Sequence, residues 1–395
     1  MRSDIYIVSA TRTAIGGFGG SLKDIAPCEL GGAVISEAVR RSGVDPAAVG
    51  HVVMGHVIPT EPRDAYLSRA AALQAGLPQD VPAFNVNRLC GSGLQAVVSA
   101  SQLLAMGDAD VAIAGGAESM SRGLYMLNAA RWGARMGDTQ AVDFMLGVLH
   151  DPVHRIHMGL TAEHVAEKEG ITRHMQDEVA SESHARAARA MERGYFEQQI
   201  CAVEVKARYG TQTFERDEHV KPGTSVEQLS KMKPVFKSDG TVTAGNASGL
   251  NDAAAALVMA TDQGLKNGRM RPMARVVSYG LAGVDPRLMG LGPVPASRLA
   301  LQRAGLRTDA LDVVESNEAF AAQACAVTRA LELDPRKVNP NGSGISLGHP
   351  VGATGAILVT KAVYELHRIQ GRYALVTMCI GCLLYTSDAA DDSLR

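Results

Sequence analysis

The chain has 395 residues, which is enough for about two or three domains with substantial hydrophobic cores. Its 39 Lys and Arg residues nearly balance 41 Asp and Glu residues, so the composition indicates neither a nucleic-acid partner nor a polybasic membrane contact. The six cysteines are scattered without framework spacing, which is typical of a reducing compartment. The N-terminus lacks a signal-peptide pattern, and we find no apolar run that approaches the length of a membrane span. We therefore expect a soluble, cytoplasmic protein.

Strands and helices alternate in the first part of the chain, which predicts an α/β fold. The predicted elements are a buried strand at 5–9, a glycine-rich loop at 12–20, an amphipathic helix at 30–41, a strand at 49–54 and a strand at 111–114. The glycine-rich loop lacks the lysine of a phosphate-binding loop, so a phosphate site is not indicated.

Cys90 lies where an extended segment turns into a long apolar helix that runs to Met106. Gly91, Ser92 and Gly93 make the turn. Free backbone N–H groups and the helix dipole favour a thiolate at a helix N-terminus, and acyl-transfer enzymes expose a nucleophile on such an elbow. The alternative is a buried core cysteine beside a tight turn.

The last part of the chain repeats the order of the first. Its predicted elements are a helix at 296–304, a strand at 313–314, a glycine-rich elbow at 341–355, a helix at 356–367 and a strand at 374–378. His349 in this second half takes roughly the place that Cys90 holds in the first. Two αβ halves of one topology should pair pseudo-symmetrically, with both elbows at sheet ends, where α/β folds bind ligands.

Residues 121–249 break this pattern. They are rich in Met, His and charged residues and contain one clear predicted helix, at 175–194. We interpret them as an insertion that covers the site, since residues 251–260 return to the apolar composition of the first half.

Three further residues stand at corresponding strand ends of the duplicated unit. Asn317 is placed to orient a water or a carbonyl, although such an asparagine can equally be a helix N-cap. His349 lies among glycines, which indicate close approach of a ligand, and Cys379 is a second cysteine at an elbow. Together with Cys90 they supply a nucleophile, a base and an oxyanion site.

Three other patterns carry no function in our interpretation. Cys379 and Cys382 fit C-x-x-C, but a second pair for zinc and a thioredoxin-like start are missing. The glycines before His349 have the wrong spacing for a dinucleotide fingerprint. Three neighbouring histidines lack a carboxylate or cysteine to complete a ligand set, so no metal site is predicted: His150, His154 and His157.

With these residues in place, the sequence resembles the thiolases, and most of all the bacterial β-ketothiolases and acetyl-CoA acetyltransferases. The similarity runs from Ile5 to Gly381. Its motifs are Asn87-Arg-Leu-Cys-Gly-Ser-Gly93, Gly115-Gly-Ala-Glu-Ser-Met120, Thr243-Ala-Gly-Asn-Ala-Ser-Gly-Leu-Asn-Asp252, Asn317-Glu-Ala-Phe320, Gly348-His-Pro350 and Cys379-Ile-Gly381.

The resemblance implies the α/β thiolase fold, in which two pseudo-symmetric αβ halves form α-β-α-β-α layers with an inserted loop domain. On this basis we expect an N-terminal half at 1–120 plus 250–271, a loop domain at 121–249 and a C-terminal half at 272–381. The family is homo-oligomeric, usually a tetramer, and the segment from Tyr125 to Met145 is similar to its tetramer-forming loop.

The resemblance also implies an enzyme that interconverts 3-ketoacyl-CoA and CoA with acyl-CoA and acetyl-CoA through an acyl-Cys90 intermediate. His349 would deprotonate Cys90 and, with a water held by Asn317, stabilise the enolate oxygen. Cys379 would be the general acid and base at the substrate α-carbon. The N–H groups of Cys90 and Gly381 would form the other oxyanion hole.

Coenzyme A would be a substrate rather than a permanent cofactor and would lie under the loop domain. The resemblance assigns its pantetheine channel to His157, Met158, Phe236, Ser248 and Phe320, with Leu149 and Lys221 near the nucleotide end. The segment from His150 to Met158 is more similar to broad-range β-ketothiolases than to strict acetoacetyl enzymes.

After Gly381 the sequence departs from the family, which continues with more glycines and a final apolar strand. Asp388, Asp391 and Asp392 are poor strand and core residues, so we expect no strand from about Leu383 onward. Residues 382–395 are then an aberrant tail, and an inactive or non-catalytic CoA-binding protein of the thiolase type is the alternative function. Ketoacyl synthases, the nearest enzymatic rival, lack a second catalytic cysteine of the Cys379 kind.

Overall fold

The structure of the protein, a computed structural model, describes residues 4–207, 210–381 and 385–391. The strands are β1 Ile5–Thr13, β2 Gly16–Gly17, β3 His51–Gly55, β4 Ala83–Val86, β5 Val111–Ser119, β6 Tyr125–Met126, β7 Val142–Asp143, β8 Ile200–Cys201, β9 Val203–Ala207, β10 Gly210–Phe214, β11 Asn251–Thr261, β12 Ala274–Gly280, β13 Val313–Ser316, β14 Tyr373–Met378 and β15 Tyr385–Asp391. The helices are α1 Pro27–Ser42, α2 Leu67–Gln74, α3 Ser92–Met106, α4 Phe144–Val148, α5 Met158–Glu169, α6 Arg173–Glu192, α7 Val226–Ser230, α8 Asp262–Gly268, α9 Pro293–Ala304, α10 Ala321–Ala330, α11 Gly344–Leu347 and α12 Thr354–Ile369.

The strands of the two halves join in one sheet, in the order β13-β14-β15-β12-β1-β11-β5-β3-β4. Outward from the central pair β1 and β12, the first half runs β11-β5-β3-β4 and the second runs β15-β14-β13. Equivalent neighbours run in equivalent directions: β3 with β5 and β13 with β14 are parallel, and the pairs nearer the centre are antiparallel. A parallel bridge between Val314 and Val338 takes the place of β4 in the second half. The duplication predicted from the sequence is therefore confirmed.

The helices α3 and α12 pack against each other and against strands of both halves, so they form the central layer. Helices α1 and α2 cover the outer face of the first half, and α9 covers the second. The main hydrophobic core lies along α3 and α12 and includes Leu94, Val97, Leu104, Ile357 and Val363. The result is the layered α-β-α-β-α arrangement expected from the sequence.

The helix α3 corrects the expectation that no apolar run approaches the length of a membrane span. In the described ranges, Leu89–Met106 is the one stretch long and apolar enough to cross a membrane, with 56% of it buried inside the protein. By length and composition alone an apolar run of spanning size is therefore present. Its packing in the central layer is that of a core helix, which must be apolar on most sides, so it is weak evidence for a membrane span.

The inserted segment contains more structure than the sequence indicated. The predicted helix at 175–194 is α6, but α4, α5 and α7 are helical as well. The short α5 was missed because its start is set by His157, whose side chain accepts from the N–H of Gly159, and histidine is not a standard capping residue. A fully buried ion pair of 2.7 Å between Arg12 and Asp217 ties this segment to β1.

The expectation that residues from about Leu383 onward form no strand is wrong. The strand β15 pairs antiparallel with β14 on one side and with β12 on the other, in the place that β11 holds in the first half. Both flanking strands, β12 and β14, carry backbone groups that must be paired when buried. Their need for hydrogen-bond partners outweighs the low strand propensity of this segment. The reason for expecting an inactive protein is thereby removed. Cys382 and residues 392–395 lie outside the described residues.

We predict that Ala390→Pro destabilises the protein, because Ala390 pairs with both Val276 and Ala374 and proline removes a ladder hydrogen bond. The expected loss is about 1–3 kcal/mol, the range for a buried backbone group left unpaired. Urea unfolding measures it. Ala390→Gly, which keeps the N–H group, is the control, and equal stability of the two variants would contradict the paired strand.

Candidate active site

The first elbow holds Cys90 just ahead of α3. Leu89 has a φ of 46°, a left-handed backbone conformation that is uncommon for leucine and marks a strained turn. A Cβ atom on Gly91 would lie 2.2 Å from the Cδ1 atom of Ile380, so only glycine lets the turn at 379–381 approach the Cys90 elbow this closely. The strand-to-helix elbow predicted from the sequence therefore faces the second half directly.

The second elbow holds His349, which is 5% exposed. Its Nδ1 atom lies 2.7 Å from Thr354 Oγ1, and that hydroxyl donates its own hydrogen to the carbonyl of Pro350 at 2.8 Å. Because a hydroxyl has one hydrogen to donate, Thr354 must accept from Nδ1–H. The neutral imidazole is thereby held with its lone pair on Nε2, where it can act as a base.

Asn317 lies beside this lone pair, with its Nδ2 atom 3.4 Å from His349 Nε2. The alternative that Asn317 is a helix N-cap is wrong, because α10 begins at Ala321 and Phe320 is its N-cap residue. The side-chain oxygen of Asn317 is buried and accepts no hydrogen bond from the described residues, so it is able to bind a polar group in the site.

Cys379 follows β14 and is 1% exposed. The N–H groups of Gly381 and of Cys90 itself lie near enough to the Cys90 sulfur to lower its pKa. The charge of Cys90 raises the pKa of Cys379, which shows that the two thiols are close enough to interact. The structure thus brings Cys90 and Cys379 together, and His349 and Asn317 together.

The protonation of these groups differs from the expectation that the helix N-terminus favours a Cys90 thiolate. Burial raises the pKa of Cys90, and the N–H groups of Gly381 and Cys90 offset only part of that effect. Burial also raises the pKa of Cys379 and lowers the pKa of His349 to about 4. At neutral pH the site therefore rests as two thiols and a neutral imidazole, because desolvation disfavours every charged form.

Most of the residues assigned to a pantetheine channel meet in one apolar group. The His157 ring stacks on Phe236 with centroids 4.7 Å apart, and Phe236 meets Phe320 edge-on at 6.3 Å. Met158 packs in the same cluster as Phe320 and Cys379. The backbone of Ser248 is linked to this group, because its N–H donates to the carbonyl of Ala319.

The two residues expected near the nucleotide end are separated from each other. The carbonyl of Leu149 accepts from the N–H of Met158 at 2.8 Å, and its side chain packs against the same buried cluster as Cys90. Lys221 is exposed, and its N–H donates to His184 at 3.2 Å, so this lysine is not part of the apolar group. In the described ranges no group of three or more His, Cys, Asp or Glu side chains is arranged to hold a metal.

Two positioning residues were missed by the sequence reasoning. Asn251 accepts from the N–H of His349 at 2.9 Å and donates to the carbonyl of Gly16 at 3.0 Å, which gives the glycine-rich loop a role in placing the histidine. Thr354 sets the imidazole tautomer. A threonine among the glycines five residues after His349 was the available signal, but sequence distance does not show that its hydroxyl faces the ring.

Comparison with known proteins agrees with this geometry. The models for the thiolase N-terminal domain and the thiolase C-terminal domain match residues 5–263 and 270–386. The beta-ketothiolase BktB of Cupriavidus necator is 63% identical over 382 residues, covering 96% of this chain and 97% of that protein. An acetyl-CoA acetyltransferase of the same organism is 46% identical over 381 residues, covering 96% and 97%.

Solved structures agree as well. An acetyl-CoA acetyltransferase of Bacillus anthracis matches with a TM-score of 0.96 and 43% identity over 99% of both chains. A human mitochondrial 3-ketoacyl-CoA thiolase in complex with CoA matches with a TM-score of 0.96 and 41% identity over 98% of both chains. The chain belongs to the thiolase family and has its fold.

We predict that Cys90 reacts as a buried thiol. Its alkylation rate with iodoacetamide should keep rising beyond pH 9 without a plateau between about pH 6 and pH 8, because burial disfavours the thiolate. Mass spectrometry of the Cys90 peptide follows the reaction, and the Cys90→Ala variant identifies signal from other cysteines. A plateau reached by neutral pH would show a thiolate at rest and contradict the raised pKa.

Proposed function

We propose that this protein catalyses the reversible thiolysis of 3-ketoacyl-CoA by CoA, which yields acyl-CoA and acetyl-CoA by a ping-pong mechanism. The observation that carries the proposal is the meeting of Cys90 and Cys379, and of His349 and Asn317, at the facing elbows of the duplicated halves. Family membership and the beta-ketothiolase relative support the same reaction.

In the first half-reaction, the Cys90 sulfur attacks the 3-keto carbon while its proton passes to His349 Nε2. The N–H groups of Cys90 and Gly381, which lie near this sulfur, would stabilise the oxygen of the resulting tetrahedral intermediate. The bond between C2 and C3 then breaks, which leaves an acyl group on Cys90 and the enolate of acetyl-CoA. In the second half-reaction the CoA thiol gives its proton to the thiolate that Cys379 becomes after protonating the enolate, and its sulfur attacks the acyl group. The bond from the acyl carbon to Cys90 breaks, and Cys90 takes back the proton held by His349.

The resting protonation state suits this sequence. Cys379, whose raised pKa keeps it a thiol, has a proton to donate to C2 of the enolate. Proton transfer from Cys90 to His349 creates opposite charges inside a buried site, where each stabilises the other more strongly than in water. The charged nucleophile is therefore formed during attack rather than before it. His349 and a water held by Asn317 would stabilise the enolate oxygen.

We further propose that the pantetheine arm of CoA runs through the apolar group of His157, Met158, Phe236, Ser248 and Phe320, with Leu149 and Lys221 nearer the nucleotide. The group leads from the loop segment to Cys379, and the neighbour solved with CoA supports a CoA substrate. The proposed units are an N-terminal half at 1–120 plus 250–271, a loop domain at 121–249 and a C-terminal half at 272–381.

We propose a homotetramer as the working form, in the cytoplasm. The segment from Tyr125 to Met145 supports this, since several large apolar side chains on it are exposed: Tyr125 by 67%, Trp132 by 81% and Met136 by 97%. Apolar side chains clustered at a surface are typical of protein interfaces. The five described cysteines are all free, which suits a reducing compartment.

Brief incubation with acetyl-CoA should place an acetyl group on Cys90, because its sulfur lies at the start of α3 near the N–H groups of Gly381 and Cys90. Digestion and mass spectrometry identify the labelled peptide. The Cys379→Ala variant is the control and should still be acetylated at Cys90. Label found on Cys379 alone would reject the assignment, and a Cys90→Ser variant with full thiolysis activity would reject the proposed mechanism.

Thr354→Val should slow both half-reactions about five- to hundred-fold, since it removes the acceptor that fixes the His349 tautomer and leaves a buried N–H unpaired. The control is Thr360→Val, another buried threonine of α12, whose hydroxyl only donates to the carbonyl of Ala356 at 2.9 Å. Single-turnover acetylation and deuterium exchange into the methyl group of acetyl-CoA measure the two steps. Equal rates in both variants would exclude this role for Thr354.

A further inference from the structure

Glu118 is a fully buried carboxylate at the end of β5 that bonds to both halves of the molecule. In the first half it accepts from the N–H groups of Val57 at 3.2 Å and Ile58 at 3.1 Å. In the second half it accepts from the N–H of Gly352 at 2.8 Å. Gly352 follows His349 by three residues, so one side chain connects the strand ends of the first half to the elbow of the histidine.

The first half contacts the elbow of His349 through glycine residues. A Cβ atom on Gly352 would lie 2.6 Å from Glu118 Oε2, so the carboxylate reaches the backbone only because residue 352 is glycine. The carbonyl of Gly352 in turn lies 2.6 Å from the Cβ position of Gly55 and 2.1 Å from that of Gly116. The elbow is therefore seated by backbone contact, and Glu118 is the charged group that binds it.

A histidine accompanies the carboxylate. His56 Nδ1 lies 3.2 Å from Glu118 Oε1, and its Nε2 atom lies 3.8 Å from Asp64 on the other side. Burial lowers the pKa of His56, but Glu118, the carbonyl of Ala117 and Asp64 together more than offset this effect, and the net direction is upward. The burial of Glu118 is thus compensated, because an imidazole stands beside it and three N–H groups bind it.

We propose that Glu118 is a positioning residue for His349, holding the histidine's elbow on the first half through Gly352 so that the Nε2 lone pair faces the substrate. This inference rests on the proposed function, in which His349 serves both half-reactions. Glu118 touches neither substrate nor reacting atoms, so its removal should act on turnover rather than on CoA binding. The charge of Glu118 also contributes to the raised pKa of Cys90.

Asp64 offers a matched control. It is 1% exposed, lies beside the same His56, and its Oδ2 atom also accepts three hydrogen bonds, from the N–H and hydroxyl of Thr60 and the N–H of Glu61. All three bonds stay within the first half. Glu118→Met and Asp64→Leu therefore each remove a buried carboxylate and leave at least three donors unpaired, the thiol of Cys28 being a fourth donor to Asp64, but only the first releases the second-half elbow.

The experiment compares these two variants in thiolysis kinetics, in both half-reactions and in amide hydrogen exchange of the peptide 346–355. Glu118→Met should lower kcat about ten- to hundred-fold with KM within about two-fold, as expected for the loss of hydrogen bonds to a charged group. Acetylation of Cys90 and methyl deuterium exchange should both slow, and exchange at Gly352 should accelerate. Asp64→Leu should lower the melting temperature comparably and leave kcat within about two-fold.

A conservative variant tests the proposal if Glu118→Met fails to fold. In Glu118→Gln the amide oxygen can still accept from Gly352, but without the charge, so kcat should fall only about two- to five-fold. Similar kcat losses in Glu118→Met and Asp64→Leu, or unchanged exchange in the peptide 346–355, would overturn the proposal. If the unaltered protein showed no thiolysis and no acetylation of Cys90, the proposed function would fail, and the exchange data would still decide whether Glu118 holds the elbow.

Discussion

The active site depends on a backbone-to-backbone contact between the N-termini of α3 and α12. A Cβ atom on Gly93 would lie 2.8 Å from the nitrogen of Ala356, and one on Gly355 would lie 2.1 Å from the nitrogen of Leu94. Side chains at these positions would separate the two helices. Since Cys90 precedes one helix and His349 precedes the other, this glycine contact brings the two elbows toward each other.

Burial gives the site its chemical character. Desolvation keeps Cys90, Cys379 and His349 neutral at rest, so charge develops only when a substrate reacts. Buried hydrogen bonds between side chains and loops lie behind the elbows. Lys361, for example, lies 2.6 Å from Glu315 and donates to the carbonyl of Gly342 on the loop that leads to His349. Buried ion pairs of this kind are weak evidence for stability, but their directional bonds hold loops in one arrangement.

Pseudo-symmetry explains why the C-terminal strand forms despite its composition. Its slot between β12 and β14 corresponds to that of β11 between β1 and β5, the buried centre of the first half. A strand paired on both sides satisfies the backbone groups of both neighbours, and this requirement does not depend on which side chains the segment carries. Strand propensity determines the conformation of a segment whose backbone can bond to water, as in an exposed loop. It matters less where neighbouring strands require a pairing partner.

The sequence by itself determined the duplication, the two elbows and the residue types at their tips, because glycine spacing and alternating αβ patterns are local features of the chain. It also determined the family resemblance on which the roles of Cys90, His349 and Cys379 rest. Only the tertiary structure decided the His349 tautomer, the raised thiol pKa values and the link from Glu118 to Gly352. Each of these depends on burial or on contacts between residues far apart in the chain, which no local pattern records.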